Sequence, residues 1–321
     1  MLDILKLVRG AVADKDIVPV LTHYLIEHGR VTGSNGRITL QAPCDVLGDL
    51  HTVVPADAFI KAITACGGDA TVVADTVDTV VVKHGRTRVK LNALPPEQYP
   101  APFNTGDMVP TTVDPTQLVR VLELVRPFVG TDALRLWSHG VLLRGGYAYA
   151  TNNITVVRVP CQWAGPDIVI PSDAVDELLA LQRRRTLLAV AYSATAVRAE
   201  FGGGTVLHAQ LLDGTWPDVD VVVDHDGGLP STFGLLDVLE RLAPLAGDGR
   251  AVDIGLNSVT CGTAVAEVDT GVTKPTRFNV DLLCDVLRVA THIDFDMYPK
   301  PVKFRGTHGL EGAIAGMSGA A

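Results

Sequence analysis

The side chains best suited to chemistry in this chain are few and scattered. Asp224-His225-Asp226 puts two carboxylates and an imidazole in one tripeptide, the donor types of a metal site or an acid–base pair. Four aspartates and one histidine crowd 218–228, but no second ligand cluster has a spacing that would complete a coordination shell. The stretch reads as a solvated interdomain linker. Gly202-Gly203-Gly204 has the composition of a phosphate-cradling loop. It lies between two strand-like stretches with no helix after it, so that context predicts a hairpin turn. The five cysteines (44, 66, 161, 261, 284) are odd in number and contain no C-x-x-C pair. They fit buried free thiols in a reducing cytosol better than a disulfide framework or a zinc site. No G-x-S-x-G, H-E-x-x-H, P-loop or dinucleotide fingerprint occurs. The residues point away from an enzyme, and neither a cofactor nor a metal is expected.

What remains is cationic. Lys6, Arg9, Lys61, Arg120, Arg126, Arg183, Arg184, Arg185, Arg241 and Arg288 all fall on segments with helical periodicity, beside a similar number of acids. Several of those acids occupy first turns, where the helix dipole explains them: Asp57, Asp114, Asp173 and Asp281. Taken singly, these are ordinary amphipathic helices with mixed solvent faces. They become a site only if something brings their polar faces together. A formal charge of −9 argues against a protein coated in nucleic acid, yet it leaves room for positive charge gathered on one surface.

The elements that would gather those faces recur. Val53-Val54-Pro55-Ala56-Asp57-Ala58 returns as Val169-Ile170-Pro171-Ser172-Asp173-Ala174, each copy following an alternating apolar run and opening an amphipathic segment. The local physics is a strand that hands over to a helix, with proline at the junction and an acid in the first turn. Ser34-Asn35 matches Thr151-Asn152, and Tyr99-Pro100 matches Trp216-Pro217, both pairs 117 positions apart. Three markers in one order at nearly one spacing make an internal repeat. A third, fainter copy runs through Arg277-Phe278-Asn279-Val280-Asp281, without the proline. With 321 residues the chain has room for three domains, each with its own core. The repeat sets them at 1–108, 109–224 and a shortened 225–321. No apolar run approaches the 18 residues of a membrane span, and charges interrupt residues 1–15, so a cytoplasmic protein is expected.

Within the first copy the pattern predicts a helix over 2–13 and strands at 20–27 and 37–41, joined through a turn at Gly33-Ser34-Asn35-Gly36. The repeated hexapeptide and its helix follow, then strands at 71–74, 79–83 and 86–91. In the second copy Asp114 caps a helix over 115–128 with Pro115 at its first position, and a hairpin turns over Gly145-Gly146. The second hexapeptide opens a helix that ends in Arg183-Arg184-Arg185. Strands follow at 187–192, 196–201 and 205–211. The third copy starts with a helix near 231–243 and has less strand between Gly249 and Phe278.

In this order, the motifs resemble the bacterial-type DNA polymerase sliding clamp, the beta subunit, with the short third domain closer to a phage-type member. The likeness covers nearly the whole chain. It rests on Ile17-Val18-Pro19-Val20-Leu21, Thr32-Gly33-Ser34-Asn35, Val54-Pro55-Ala56, Gly85-Arg86-Thr87-Arg88 and Leu94-Pro95 in the first copy. In the second it rests on Ala150-Thr151-Asn152, Ile170-Pro171 and Gly214-Thr215-Trp216-Pro217-Asp218, and in the third on Phe278-Asn279-Val280 with Asp285-Val286-Leu287. The resemblance implies an α+β fold of three clamp domains, each with two helices packed on two antiparallel sheets. A head-to-tail homodimer would close six such domains into a ring. It implies a processivity factor that encircles duplex DNA, tethers a polymerase, and needs no catalytic residue. The alternative is a clamp-like structural or protein-interaction ring without DNA sliding.

Three surfaces follow from that likeness. Non-sequence-specific DNA contact is expected from Lys6, Arg9, Arg120, Arg126 and Arg183 to Arg185 on polar helix faces, with Lys15, Arg135 and Trp137 added by match to family positions. Short linear peptides of the polymerase and the clamp loader are expected between domains two and three, at Thr151, Val156, Leu282, Pro299, Pro301 and Met317. There Asn153-Ile154-Thr155-Val156 replaces the family's Gly-His-Arg-Leu, and Ala315-Gly316-Met317-Ser318-Gly319 replaces its Met-Pro-Met-Arg-Leu. A subunit seam is expected between the strand of Arg86, Arg88, Val89 and Leu91 and the partner's segment at Ala264–Val268 with Glu267, Val89 and Leu91 packing on Pro244 and Leu245.

Overall fold

The structure is a computed structural model. It describes all residues except 16, 68, 101–105, 133, 225–233, 320 and 321. His225 and Asp226 of the acidic tripeptide therefore lie outside the described residues, as does the start of the helix expected near 231–243.

In chain order, helix α1 (Leu2–Val8) precedes strands β1 (His23–Glu27), β2 (Arg30–Ser34), β3 (Ile38–Pro43) and β4 (Thr52–Pro55). Helix α2 (Ala56–Cys66) and strands β5 (Thr71–Thr76), β6 (Thr79–His84) and β7 (Thr87–Asn92) complete the first copy. The second copy has a short β8 (Val109–Pro110), α3 (Pro115–Val125), β9 (Gly140–Arg144), β10 (Tyr147–Thr151), β11 (Thr155–Pro160) and β12 (Ile168–Pro171). It continues with α4 (Ser172–Gln182), β13 (Leu187–Tyr192), β14 (Ala196–Phe201) and β15 (Thr205–Gln210). The short α5 (Asp220–Val223) closes the second copy, and the third has α6 (Leu235–Leu242), β16 (Ala251–Ile254), β17 (Ser258–Cys261), β18 (Ala264–Glu267) and β19 (Thr276–Asn279). It ends with α7 (Val280–Val289), β20 (Ala290–Ile293), β21 (Val302–Gly306) and β22 (Glu311–Ile314).

Each hexapeptide forms the strand-to-helix junction that its residues predict. β4 and β12 end on proline and the helix starts at the next residue. The third copy reaches the same junction without proline. There Asn279 caps α7, its side chain accepting from the Asp281 and Leu282 backbone N–H groups. Asp114 caps α3 by accepting from the Gln117 N–H at 2.9 Å.

The stretch around Gly33 departs from expectation. Gly33 and Ser34 belong to a strand, β2, and the turn falls at 35–37, where Asn35 Oδ1 accepts from the backbone N–H groups of Arg37 and Ile38. Gly33 is required there because helix meets sheet: a Cβ would come within 2.6 Å of Val12 and 2.9 Å of Val8. The first helix is also shorter than 2–13, tightening into a 3-10 turn at Arg9–Ala11. In the third copy the strands between Gly249 and Phe278 are short, four residues each, but none of the four is lost.

The chain forms two compact units, and they do not follow the copies. One comprises Met1–Thr111 with Asp173–Leu211, the other Thr112–Ser172 with Leu212–Ala321. The first unit holds an eight-stranded sheet, β4-β1-β2-β3-β15-β14-β13-β8, and a three-stranded sheet, β5-β6-β7. The second holds a seven-stranded sheet, β12-β9-β10-β11-β22-β21-β20, and a four-stranded sheet, β18-β17-β16-β19. Each long sheet joins the first strands of one copy to the last strands of the next. β3 pairs with β15 antiparallel, Leu40 opposite Leu207, and β11 pairs with β22, Val157 opposite Gly312. Backbone ladders that cross between copies tie each unit together, which is why the compact division cuts through the repeat. Within the first unit Tyr24, Leu5, Phe59 and Ile63 are fully buried, and the Tyr24 hydroxyl donates to the Leu5 carbonyl at 2.7 Å.

Candidate functional site

The helix cations divide by what already holds them. Arg9, at the end of α1, donates to Asp57 and to Asp14, each at 2.7 Å, and to the Val12 carbonyl at 2.9 Å. The Asp57 carboxylate is the main cause of its raised pKa, and Arg9 in turn lowers that of Asp57. Arg9 therefore serves first as a tie between α1 and α2. Lys6, Lys15, Arg120, Arg183 and Arg184 are exposed, and their side chains make no hydrogen bond or ion pair among the described residues. α4 stops at Gln182, so Arg183, Arg184 and Arg185 lie just past the helix rather than on its last turn; the C-terminal end of the dipole still favours them. Arg126 follows α3 in a 3-10 turn. Arg135 is exposed, with Asp132 3.8 Å away.

Trp137 is packed rather than displayed. Its ring meets Trp216 edge-on at 5.2 Å, and the Trp216 indole N–H donates to the Trp137 carbonyl at 2.8 Å. The pair belongs to a cluster with Leu142, Tyr149 and Val169. An acid shares the ground of the cations: the Glu177 carboxylate, on α4, lies against Gly10, where an added Cβ would collide with it. Burial raises the pKa of Glu177, and Arg184 opposes that shift.

The expected partner groove falls within the second unit, and the structure brings its residues together only in part. Val156 is nearly buried and packs with Ala313 and Val223, the last residue of α5. Thr151 is buried and structural: its hydroxyl donates to the Thr155 carbonyl at 2.8 Å and accepts from the Asn153 N–H at 3.0 Å. Met317 is anchored by its N–H to the Arg277 carbonyl at 2.7 Å, and its own carbonyl accepts from the Tyr298 hydroxyl at 2.6 Å. Leu282 is half-buried in the first turn of α7, and Pro299 and Pro301 are exposed. Sequence reasoning missed α5, whose Val221 and Val222 are 78% and 38% exposed, and Ile154, which is also exposed. A four-residue helix leaves no periodicity to read. The only signal was the unexplained run Val221-Val222-Val223 in an otherwise acidic linker.

At the expected seam, β7 and β18 are both edge strands. Arg86 and Arg88 are exposed, Val89 and Leu91 half-buried, Val265 64% exposed and Glu267 exposed. An open depression of about 670 Å³ runs along β18, lined by Asn257, Ser258, Val265, Glu267, Val268 and Asp269. Pro244 and Leu245 are exposed in the turn after α6. All five cysteines are buried free thiols. Among the described residues no group of three His, Cys, Asp or Glu side chains could hold a metal, and no helix is long and apolar enough to cross a membrane.

No family model matches the chain. A curated protein named beta sliding clamp, from Caulobacter vibrioides, is 23% identical over 320 residues, spanning 87% of this chain and 85% of that protein. One from Pseudomonas putida is 23% identical over 328 residues, spanning 89% and 87%. Among solved structures, the DNA polymerase III beta chain of Streptococcus pneumoniae matches with a TM-score of 0.85 at 19% identity, covering 99% of this chain and 97% of that one. The DNA polymerase sliding clamp of Caulobacter crescentus matches with a TM-score of 0.84 at 20% identity, over 99% and 97%. With its helices, antiparallel sheets and threefold repeat, this chain has the DNA clamp fold and is similar to the bacterial-type beta sliding clamps, as a divergent relative.

Proposed function

We propose that this chain is a DNA sliding clamp: three clamp domains, about 1–108, 109–224 and 225–321, that dimerise head to tail around duplex DNA and tether a polymerase. The observation that carries this reading is the repeated sheet junction. The third strand of one copy pairs with the last strand of the next, at β3 with β15 and at β11 with β22, in equivalent register. The same rule applied to what remains leaves the third strand of the last copy, β18, and the last strand of the first copy, β7. Edge strands of this kind are aggregation hazards unless another chain covers them, and a second copy of this chain offers each the partner it lacks.

The ladders also support a register for that seam. Following β19, β16 and β17 from the helix junction puts Ala264 in the place that Leu40 holds in the first copy. The β6–β7 hairpin puts Val89 in the place of Leu207. Ala264 then lies opposite Val89, and Glu267 opposite Arg86. Apolar contact of Val89 and Leu91 with Pro244 and Leu245 supplies most of the affinity. The exposed ion pair adds only about 0–1 kcal/mol.

A closed ring leaves DNA only at an end, so it needs no chemistry to confer processivity. Lys6, Lys15, Arg120, Arg183 and Arg184 would meet phosphates without preferred register, which permits sliding. Peptides of the polymerase and loader would dock through buried apolar anchors at the groove around Leu282, Pro299, Pro301, Met317 and the α5 valines, over the floor formed by Thr151 and Val156. A ring with no DNA-sliding role remains the second reading, favoured by Arg9, whose charge is already met by two carboxylates. Loading onto nicked circular DNA, followed by linearisation, tests the two. Retention on the circle with loss from the line is the expected outcome; equal retention, or none on either, would sink the sliding reading.

A further inference from the structure

The short helix α5 has too few residues to be stable alone, since a single turn does not recover its nucleation cost. Its buried Val223 packs on Val156 and Ala313, and one side chain reaches both of its ends. Arg158, on β11 and only 12% exposed, donates to Asp220 at the start of α5 (2.9 Å) and to Asp224 just past its end (2.8 Å). It also donates to Glu311 on the neighbouring β22 at 2.8 Å and lies over the Tyr147 ring, 5.1 Å from the centroid. The Tyr149 hydroxyl donates to the same Asp220 at 2.9 Å, and the Lys303 ammonium donates to the Asp224 carbonyl. The planar fork of a guanidinium suits this task, because three carboxylates converge on it from different directions.

The consequence reaches the proposed groove. Arg158 stands two residues from Val156 on one face of the sheet, and Val223 of α5 covers Val156 and Ala313. The same short helix carries the exposed Val221 and Val222. The first copy lacks the device. Gln41 occupies the place of Arg158, with the strand partner Val206 where the second copy has Glu311. The arginine and its acids lie where the second copy meets the third, the surface proposed to bind peptides.

We propose that Arg158 is a positioning residue for partner peptides: by gripping α5 at both ends it holds Val221 and Val222 in place against the Val156–Ala313 floor. This rests on the groove reading above. Without the guanidinium, Asp220 and Asp224 would lose the cation they share and Glu311 would keep only Arg305, 3.3 Å away, so the two ends of α5 would be unpaired and α5 would lift away.

The test uses the full-length dimer and a fluorescein-labelled apolar pentapeptide selected from a random library against the wild-type protein. Arg158→Gln is expected to weaken the peptide about tenfold, through faster dissociation, and to speed amide exchange at 219–224, with dimerisation and retention on circular DNA unchanged. Arg158→Lys, which keeps the charge but not the fork, should fall between. Adding Asp220→Asn and Asp224→Asn to Arg158→Gln should recover part of the affinity, because it removes the unpaired charges; a merely structural arginine would give no such recovery. Unchanged affinity for Arg158→Gln, while Val222→Asp abolishes binding, would overturn the role of Arg158 and leave the groove standing. A peptide that also ignores Val222→Asp would remove the groove and the proposal together.

Discussion

The guanidinium of Arg9 is held by Asp57, Asp14 and the Val12 carbonyl, whereas Lys6, Arg120 and Arg183 have no such partners among the described residues. A cation whose field is already met by two carboxylates displaces little counterion from DNA. Replacing Lys6, Arg120 and Arg183 with alanine should therefore lower the salt slope of DNA binding by about 0.9 for each phosphate that is no longer neutralised, while Arg9→Ala should leave the slope nearly unchanged. Titration of binding against salt reads both; a steep loss from Arg9→Ala alone would reverse the assignment. Glu177 is the opposing case. Burial raises its pKa, so the cost of ionising it is absent below the unfolded carboxylate range and fully present once pH exceeds the folded value. Glu177→Gln should stabilise the protein at pH 7 and make no difference at pH 3. A gain on the order of 1 kcal/mol would raise Tm by about 2–4 °C in a unit of this size. An equal shift at both pH values would show that the ionisation of Glu177 is not the cause.

At the scale of elements, the proposed seam makes the edge strands β7 and β18 the ones that would decide assembly. Val89 and Leu91 share one face of β7 and are half-buried within one chain; covering them fully would recover apolar area that ion pairs cannot match. Changing both to aspartate should give a folded monomer by sedimentation, and Arg86→Ala alone should shift the dimer only slightly. A dimer that survives the double substitution would exclude this seam. The helix junctions carry a different lesson. α2 and α4 are launched by proline and α7 by an Asn279 cap, so the third copy reaches the same geometry through side-chain hydrogen bonds in place of a fixed φ.

For the whole molecule, the proposed sliding role makes topology rather than affinity the relevant quantity. The chain carries 27 Lys and Arg against 36 Asp and Glu, so electrostatic attraction to DNA is weak overall and confined to a few exposed cations. Capture by so few cations should be lost at modest salt, whereas retention on a closed circle should not, since leaving it would require opening the seam. Protein loaded onto circular DNA at low salt should persist there through a wash at about 0.5 M salt, where screening shortens the Debye length to about 4 Å. Release from the circle at the rate seen on linear DNA would mean ordinary surface binding.

Much of this was legible in the chain because its signals are local. The hexapeptides fixed two strand-to-helix junctions, Asp114 announced its cap, and the glycines at 145–146 and 202–204 marked hairpins that the structure contains. The order and spacing of these markers carried the repeat, and with it the clamp resemblance. What the sequence left open depends on partners far along the chain. Alternation specifies a strand but not its neighbour, so the pairing of β3 with β15 and of β11 with β22, and the compact units that result, came only from tertiary structure. Gly33 looked like a turn residue because its neighbours are turn formers; it is a strand glycine because Val8 and Val12 lie against it. Arg9 and Arg158 are alike in sequence terms, each a cation among apolar residues. Asp57, which ties Arg9 to α2, is 48 positions away, and the three carboxylates on Arg158 are 62, 66 and 153 away; only folding makes them neighbours.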